Sequence, residues 1–206
     1  MPSMVEVDEI HEKTADSGVS IKDDLKLSSG NAIKNASGAD LLTEAGALGS
    51  SVVFPAGHVL QVKSAVVTAY SLITAAIPND DSKPQIGEGS EVIRIDNIQA
   101  SHADNYFLII ANVSGSPSAN DGITVALFKD TGADAIAAVG VGAIDKRTAP
   151  ITLIHKIQAG STAEIDFSIT AGCTWANFRV NSDTTAQRYD GVYATTLTIF
   201  EIKGAI

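Results

Sequence analysis

Only one cysteine, Cys173, occurs among the 206 residues, so an internal disulfide is excluded. Four histidines, His11, His58, His102 and His155, stand far apart. None has the spacing of a metal site, since IHEKT lacks the second histidine that HExxH places one turn later. Aromatic residues are scarce at 5%, which leaves core building to Val, Ile, Leu and Ala. No apolar run approaches the ~20 residues of a membrane span. Basic residues are few as well: 14 Lys and Arg face 24 Asp and Glu, a net charge of −10. A chain of that charge repels nucleic acid and anionic lipid headgroups. The opening MPSMVEVDEI has no positive n-region and no apolar h-region, so no secretory signal is predicted. These absences predict a soluble acidic chain made in a cytoplasm, without nucleic-acid partners or membrane insertion.

What is present is alternation. In TAEIDFSIT, Ala163, Ile165, Phe167 and Ile169 share one face, while Glu164, Asp166, Ser168 and Thr170 share the other. That pattern predicts a strand with one buried and one wet face. ITLIHKIQ places Ile151, Leu153, His155 and Ile157 together, with His155 as a core or interface histidine. ITVALF (Ile123 to Phe128) and TTLTIFEI (Thr195 to Ile202) are apolar on both faces, as in central strands or strands whose outer face meets another subunit. Turn-rich segments separate the runs: PNDDSKP, SGSPSANDG (114–122), KDTGAD and AGST. The predicted strands fall near 58–70, 91–98, 105–113, 123–128, 135–141, 151–158, 163–170, 175–180 and 192–202. That spacing, without a helical stripe, predicts an all-β jelly roll or β-sandwich over 58–206.

Residues 1–57 are different. Short apolar pairs (Val5/Val7, Val19/Ile21, Leu25/Leu27) and Ile10 alternate with Gly, Asn, Ser and Asp, too sparse to bury a core. This segment is read as an extended arm or short stalk for docking or trimerisation. DLLTEAGAL (Asp40 to Leu48) is its one candidate helical turn, with Asp40 as N-cap.

The sequence offers little to an enzyme. Cys173 lacks nearby cations and reads as a small buried residue. AVGVGAID has Gly140 and Gly142 but no third glycine and no following helix, and IGEGSE puts Glu88 where a phosphate would sit; strand bulges and turns account for both. Asp80-Asp81 lacks the alternating ligands of a calcium loop. The reading is non-enzymatic, with no catalytic residue, cofactor or metal. Surface contacts remain. Tyr106, Arg179, Arg188, Tyr189 and Tyr193 are the candidate contact residues, being of the types that anchor interfaces. For Trp175 and Tyr106, core packing is an equal alternative. NSDTTAQRYDG (Asn181 to Gly191) suits a recognition loop or a loop against a neighbouring subunit.

VEVDEIHEKTADSGVSIKDDLKL, FPAGHVLQV (54–62), NYFLIIANVSGS (105–116), ITVALFKD (123–130) and the closing TLTIFEI together resemble a family of short tailed-phage virion proteins common among marine phages. The resemblance spans nearly the whole chain, except the long segment from Ile77 to Ser90. It implies a virion structural component: a trimeric jelly roll displayed on a capsid or tail. Its partners would be two further copies of itself and a major capsid or tail protein. The docking arm would carry Val5, Val7, Ile10, Val19, Ile21, Leu25 and Leu27. Two jobs fit, capsid decoration as a cement or head-fibre protein, and a short tail fibre or spike binding host-surface glycans. A free carbohydrate-binding module is the remaining alternative.

Overall fold

The computed structural model describes residues 32–34, 37–43, 52 and 54–204, and the chain divides into two units, Met1–Val53 and Phe54–Ile206. The proposed arm contacts Val5, Val7, Ile10, Val19, Ile21, Leu25 and Leu27 lie outside the described residues.

In the first unit, β1 (Ala32–Lys34) pairs antiparallel with β2 (Asp40–Thr43). Asp40 is therefore a strand residue and caps no helix. Ile33 opposes Leu42, Lys34 forms an ion pair with Asp40, and Gly38 takes the left-handed conformation in the turn between them. Cross-strand pairing across that turn outweighs the helical propensity of Leu41 and Leu42.

The second unit contains β3 (Val59–Val67), β4 (Ser71–Ile73), β5 (Ser90–Gln99), β6 (Tyr106–Pro117), β7 (Asn120–Lys129) and β8 (Ala137–Asp145). These are followed by β9 (Ala149–Gln158), β10 (Glu164–Cys173), β11 (Phe178–Val180) and β12 (Thr195–Ile202). One sheet has the order β5-β10-β7-β8. In the other, β6 pairs with β9 along one edge and with β12 and then β11 along the other, while β3 and β4 flank β12 and β11. The long strands thus form two four-stranded layers, β9-β6-β12-β3 over β5-β10-β7-β8, with the chain passing repeatedly between layers. That strand order is a jelly roll.

Alternation builds the core. Phe107, Ile109, Ala111 and Val113 of β6 and Leu197 and Ile199 of β12 face Ile165, Phe167 and Ile169 of β10 and Val125 and Leu127 of β7, all buried. Phe107 and Phe167 meet edge to face with centroids 5.7 Å apart, a favoured aromatic geometry.

SGSPSANDG proves to be mostly strand. β6 runs through Pro117 and β7 begins at Asn120. Gly115 permits this, because a Cβ there would lie 2.3 Å from the Arg179 carbonyl and 2.6 Å from the Phe178 ring. Turn-forming residues were chosen here for close strand approach.

The supposedly wet face of β10 is also partly dry, since Ser168 and Thr170 are buried. The segment 74–89 folds over it. Ile77 N donates to the Cys173 carbonyl, and its side chain fills space left by Gly89 and Gly172. Farther along, Ile86 N donates to the Ala133 carbonyl and Ala135 N to that of Pro84. Phe128 and Ala126, the outer residues of ITVALF, are buried with Ala135. ITVALF is thus a central strand covered by its own chain rather than by a subunit. Ser168 Oγ and Thr170 Oγ1 have no hydrogen-bond partner among the described residues. Thr170→Val should accordingly raise stability by about 1 kcal/mol, ~3 °C in Tm by calorimetry; an unchanged or lower Tm would show the hydroxyl to be satisfied.

Candidate functional site

The two ends of the sandwich differ. One end carries the chain entry at Phe54 to His58, the 100–105 turn and the end of β12, where Gly57 N donates to the Lys203 carbonyl. The other carries the β6–β7 and β8–β9 turns, the 174–177 turn and the 181–194 loop.

At the entry end lies a buried polar hub. Glu201 is 1% exposed. Its carboxylate accepts from Gln61 Nε2 (2.6 Å), Ser101 N (2.7 Å), Ser101 Oγ (2.8 Å) and Asn105 Nδ2 (2.5 Å). Burial opposes the charge, but these hydrogen bonds win and hold the carboxyl below the usual carboxylate range. Asn105 Oδ1 also accepts from Gly204 N. The hub is structural, joining β3, β12 and the 100–105 turn.

At the far end, Asn181 and Ser182 anchor the 181–194 loop. Asn181 Nδ2 donates to the carbonyls of Val67 and Ala69, Thr195 Oγ1 donates to Asn181 Oδ1, and Ser182 Oγ donates to the Ala186 carbonyl. Above this base, Asp183 pairs with Arg188, whose guanidinium lies 5.7 Å from the Tyr189 ring centre. Tyr189 meets Tyr193 edge to face at 6.3 Å. Arg179, half-buried on β11, reaches only the Asp183 carbonyl, at 3.5 Å. Four of the five sequence-chosen contact residues are thus gathered, with Tyr189 68% exposed.

Tyr106 does not join them. It lies at the other end of the sheet, beneath Lys156 Nζ at 4.0 Å, and belongs to a different surface. The register aligns four rows on the outer face of β3, β12, β6 and β9: Val66-Thr196-Asn112-Thr152, Ser64-Thr198-Ile110-Ile154, Val62-Phe200-Leu108-Lys156 and Val59-Ile202-Tyr106-Gln158. Val62, Val66 and Ile154 are 52%, 60% and 65% exposed. These four strands hold one carboxylate, Glu201, and it points inward. Nine of the sixteen residues on this outer face are apolar or aromatic, the rest are neutral polar residues and Lys156, and none is an acid, in a chain of net charge −10.

A third feature was not legible in the sequence. At the far end of β7 and β8 a cleft of about 450 Å³ is lined by Asn79, Asp121, Thr124, Gly140, Gly142, Thr174 and Trp175, among others. Asp121 builds its wall: Oδ2 accepts from Trp175 N and Ala176 N, both at 2.8 Å, and Oδ1 from Gly122 N at 2.8 Å. That fixes the 174–176 turn and leaves Trp175 67% exposed on the rim, which settles its reading as a surface residue. Asp121-Gly122 had the form of an ordinary turn, so nothing marked its role. Gly140 lies within the regular pairing of β8, whereas Gly142 sits at its register shift, where Asp121–Ile123 of β7 faces Val141–Ile144, so the bulge reading holds for Gly142 and not for Gly140. Next to the cleft, burial first and the Asp121 charge second push the Cys173 thiol up to about 12, so it stays protonated and inert. No cluster of three metal-ligating side chains occurs among the described residues, and no helix there is long and apolar enough to cross a membrane.

No family model and no curated protein matches the chain. Among solved structures it is similar to the C-terminal domain of EclA, a sugar-binding protein, at 14% identity over 65% of this chain and 82% of that one, TM-score 0.32. A TNF structure, Eiger from S. frugiperda, shares 10% identity over 70% and 95%, TM-score 0.40. An infectious bursal disease virus structure (Gt strain) shares 9% over 81% of this chain and 44% of that one, TM-score 0.37. Likenesses of this size assign no function. The jelly roll rests on the strand order itself.

Proposed function

We propose that the protein is a non-enzymatic phage virion surface component that works as a homotrimer, decorating or stabilising the particle. The observation that carries the oligomer is the outer face of β9-β6-β12-β3. Among the described residues, 74–89 covers part of the outer face of the other sheet, and no segment covers this one. A sheet face that exposes Val62, Val66 and Ile154 together supports an interaction surface, and the lack of acids fits the depletion of charge typical of interface cores. Copies carrying −10 each repel one another, and an acid-free face removes that repulsion at the point of contact. The occupant is therefore a second copy, closing into a ring. Placement on a phage particle follows from the resemblance of the arm and strand motifs. Entry of the chain at one end, with tyrosines and tryptophan at the other, suits a docked end and a free end.

Light scattering after size exclusion tests the oligomer. Three chains of 21.3 kDa give about 64 kDa, the expected native mass. A mass of one chain would mean that the face is covered by the protein's own residues and would overturn the trimer. Removing residues 1–48 should abolish binding to the particle while the sandwich stays folded; truncated protein that still decorated particles would sink the docking role of the arm.

A further inference from the structure

We infer that the Trp175 cleft is a binding site for an uncharged saccharide. The cleft forms within one chain, so the inference stands apart from the trimer. Three observations converge on it.

The first is the platform. Trp175 is the only tryptophan in the chain, and the fold spends a buried carboxylate, Asp121, to hold its backbone while leaving the ring in solvent. An indole exposed on a rim offers a flat apolar face for stacking, and the C–H face of a pyranose ring is its chemical complement.

The second is the floor. Glycine inside a strand costs stability and often marks a bulge, or a place where a ligand or another backbone approaches closely. Gly142 sits at the register shift between β7 and β8, but neither it nor Gly140 is held to glycine by crowding or by its backbone conformation. A Cβ on Gly142 would meet nothing within 4 Å, and one on Gly140 would make ordinary contacts at 3.4 and 3.6 Å. Neither has a positive φ. What their missing side chains do is keep the cleft open.

The third is the polarity. The Asn79 amide and the hydroxyls of Thr124 and Thr174 line the cleft, and none has a hydrogen-bond partner among the described residues. No Lys or Arg lines it, and its one acid is saturated by three backbone N–H groups. Neutral donors and acceptors beside an aromatic face match a polyol. An anionic sugar or nucleotide would find no cation there, in a chain of net charge −10. Pockets of this size, with a few convergent polar groups, are typical of small-ligand sites.

With a single tryptophan, any saturable change in indole emission reports on this cleft. The probes are methyl glucoside, methyl galactoside, methyl mannoside, N-acetylglucosamine and their neutral trisaccharides, with sialyllactose and AMP as anionic counterparts. At least one neutral sugar should give a saturable shift with a Kd of about 1 mM or tighter. Gly142→Val, whose added methyls project into open space, should fold normally and weaken that binding at least tenfold. Trp175→Ala, read by calorimetry, should do the same, whereas Tyr189→Ala should leave it unchanged. A flat titration with every neutral sugar would overturn the inference, as would equal affinity for sialyllactose or AMP, or full binding by Gly142→Val.

Discussion

Replacing Glu201 with leucine is expected to cost about 4 kcal/mol of stability. The cause is the donors left behind. Gln61 Nε2, both donors of Ser101 and Asn105 Nδ2 all point at one carboxylate, and leucine strands the buried Asn105 amide and takes this acceptor from the other three. Glu201→Gln should cost roughly 2 kcal/mol, because the amide keeps one acceptor and turns a donor toward donors. The pH dependence has a definite sign. The folded carboxyl titrates below its unfolded value. Its contribution is therefore fully present above the unfolded pKa, near 4.3 for glutamate, and is lost as the pH falls through the lower folded value. Urea unfolding from pH 7 to pH 3 should show wild-type stability declining below about pH 4.5. In Glu201→Gln that part of the decline should be missing. Parallel pH curves for the two proteins would mean that the hub does not hold a charged group.

The second large effect concerns association. Val62→Glu combined with Val66→Glu should convert a 64 kDa particle, three chains of 21.3 kDa, into single chains, with apparent affinity reduced at least ~1,000-fold. Both residues are more than half exposed in the isolated sandwich, so the substitutions should barely change its Tm. In an interface they would bury unpaired charges on a face that holds no acid. Sedimentation velocity and calorimetry on the same samples separate the outcomes. Loss of mass with an unchanged Tm supports the interface. Retention of the native mass would remove this face from the assembly, and a collapse of Tm would show that the two valines hold the monomer together. Glycan titrations of the same variant should be normal, since the Trp175 cleft lies on the other sheet.

Much of the architecture was legible residue by residue. The runs around Phe107, Ile151, Ile165 and Leu197 each became a strand. In those at Ile151 and Ile165 the expected residues point inward except Ala163, which is exposed just before β10, because one-sided burial imposes that period on a strand of a two-layer sheet. Where the reading erred, long-range contact had overridden local preference. Ser114 to Pro117 contains turn-favouring residues, yet it is strand because Gly115 lets β11 approach. Asp40 to Thr43 has the local character of a helix start, yet it pairs with Ala32 to Lys34. Thr170 is polar in an outward position, yet it is dry because 74–89 lies over it. The candidate contacts divide in the same way. Arg179, Arg188, Tyr189 and Tyr193 are close in sequence and meet in one loop, whereas Tyr106 belongs to a sheet face assembled from four distant strands.

By itself the sequence determined the all-β class, most strand positions, the acidic charge and the lack of an internal disulfide. These follow from composition and from patterns only a few residues long. Tertiary structure alone decided that Val62, Val66 and Ile154 share one acid-free sheet face and that Asn79, Asp121, Gly142 and Trp175 meet in one cleft. The reason is physical. A surface or a cleft is a relation among residues brought together from far along the chain, and that relation exists only once the strands have paired.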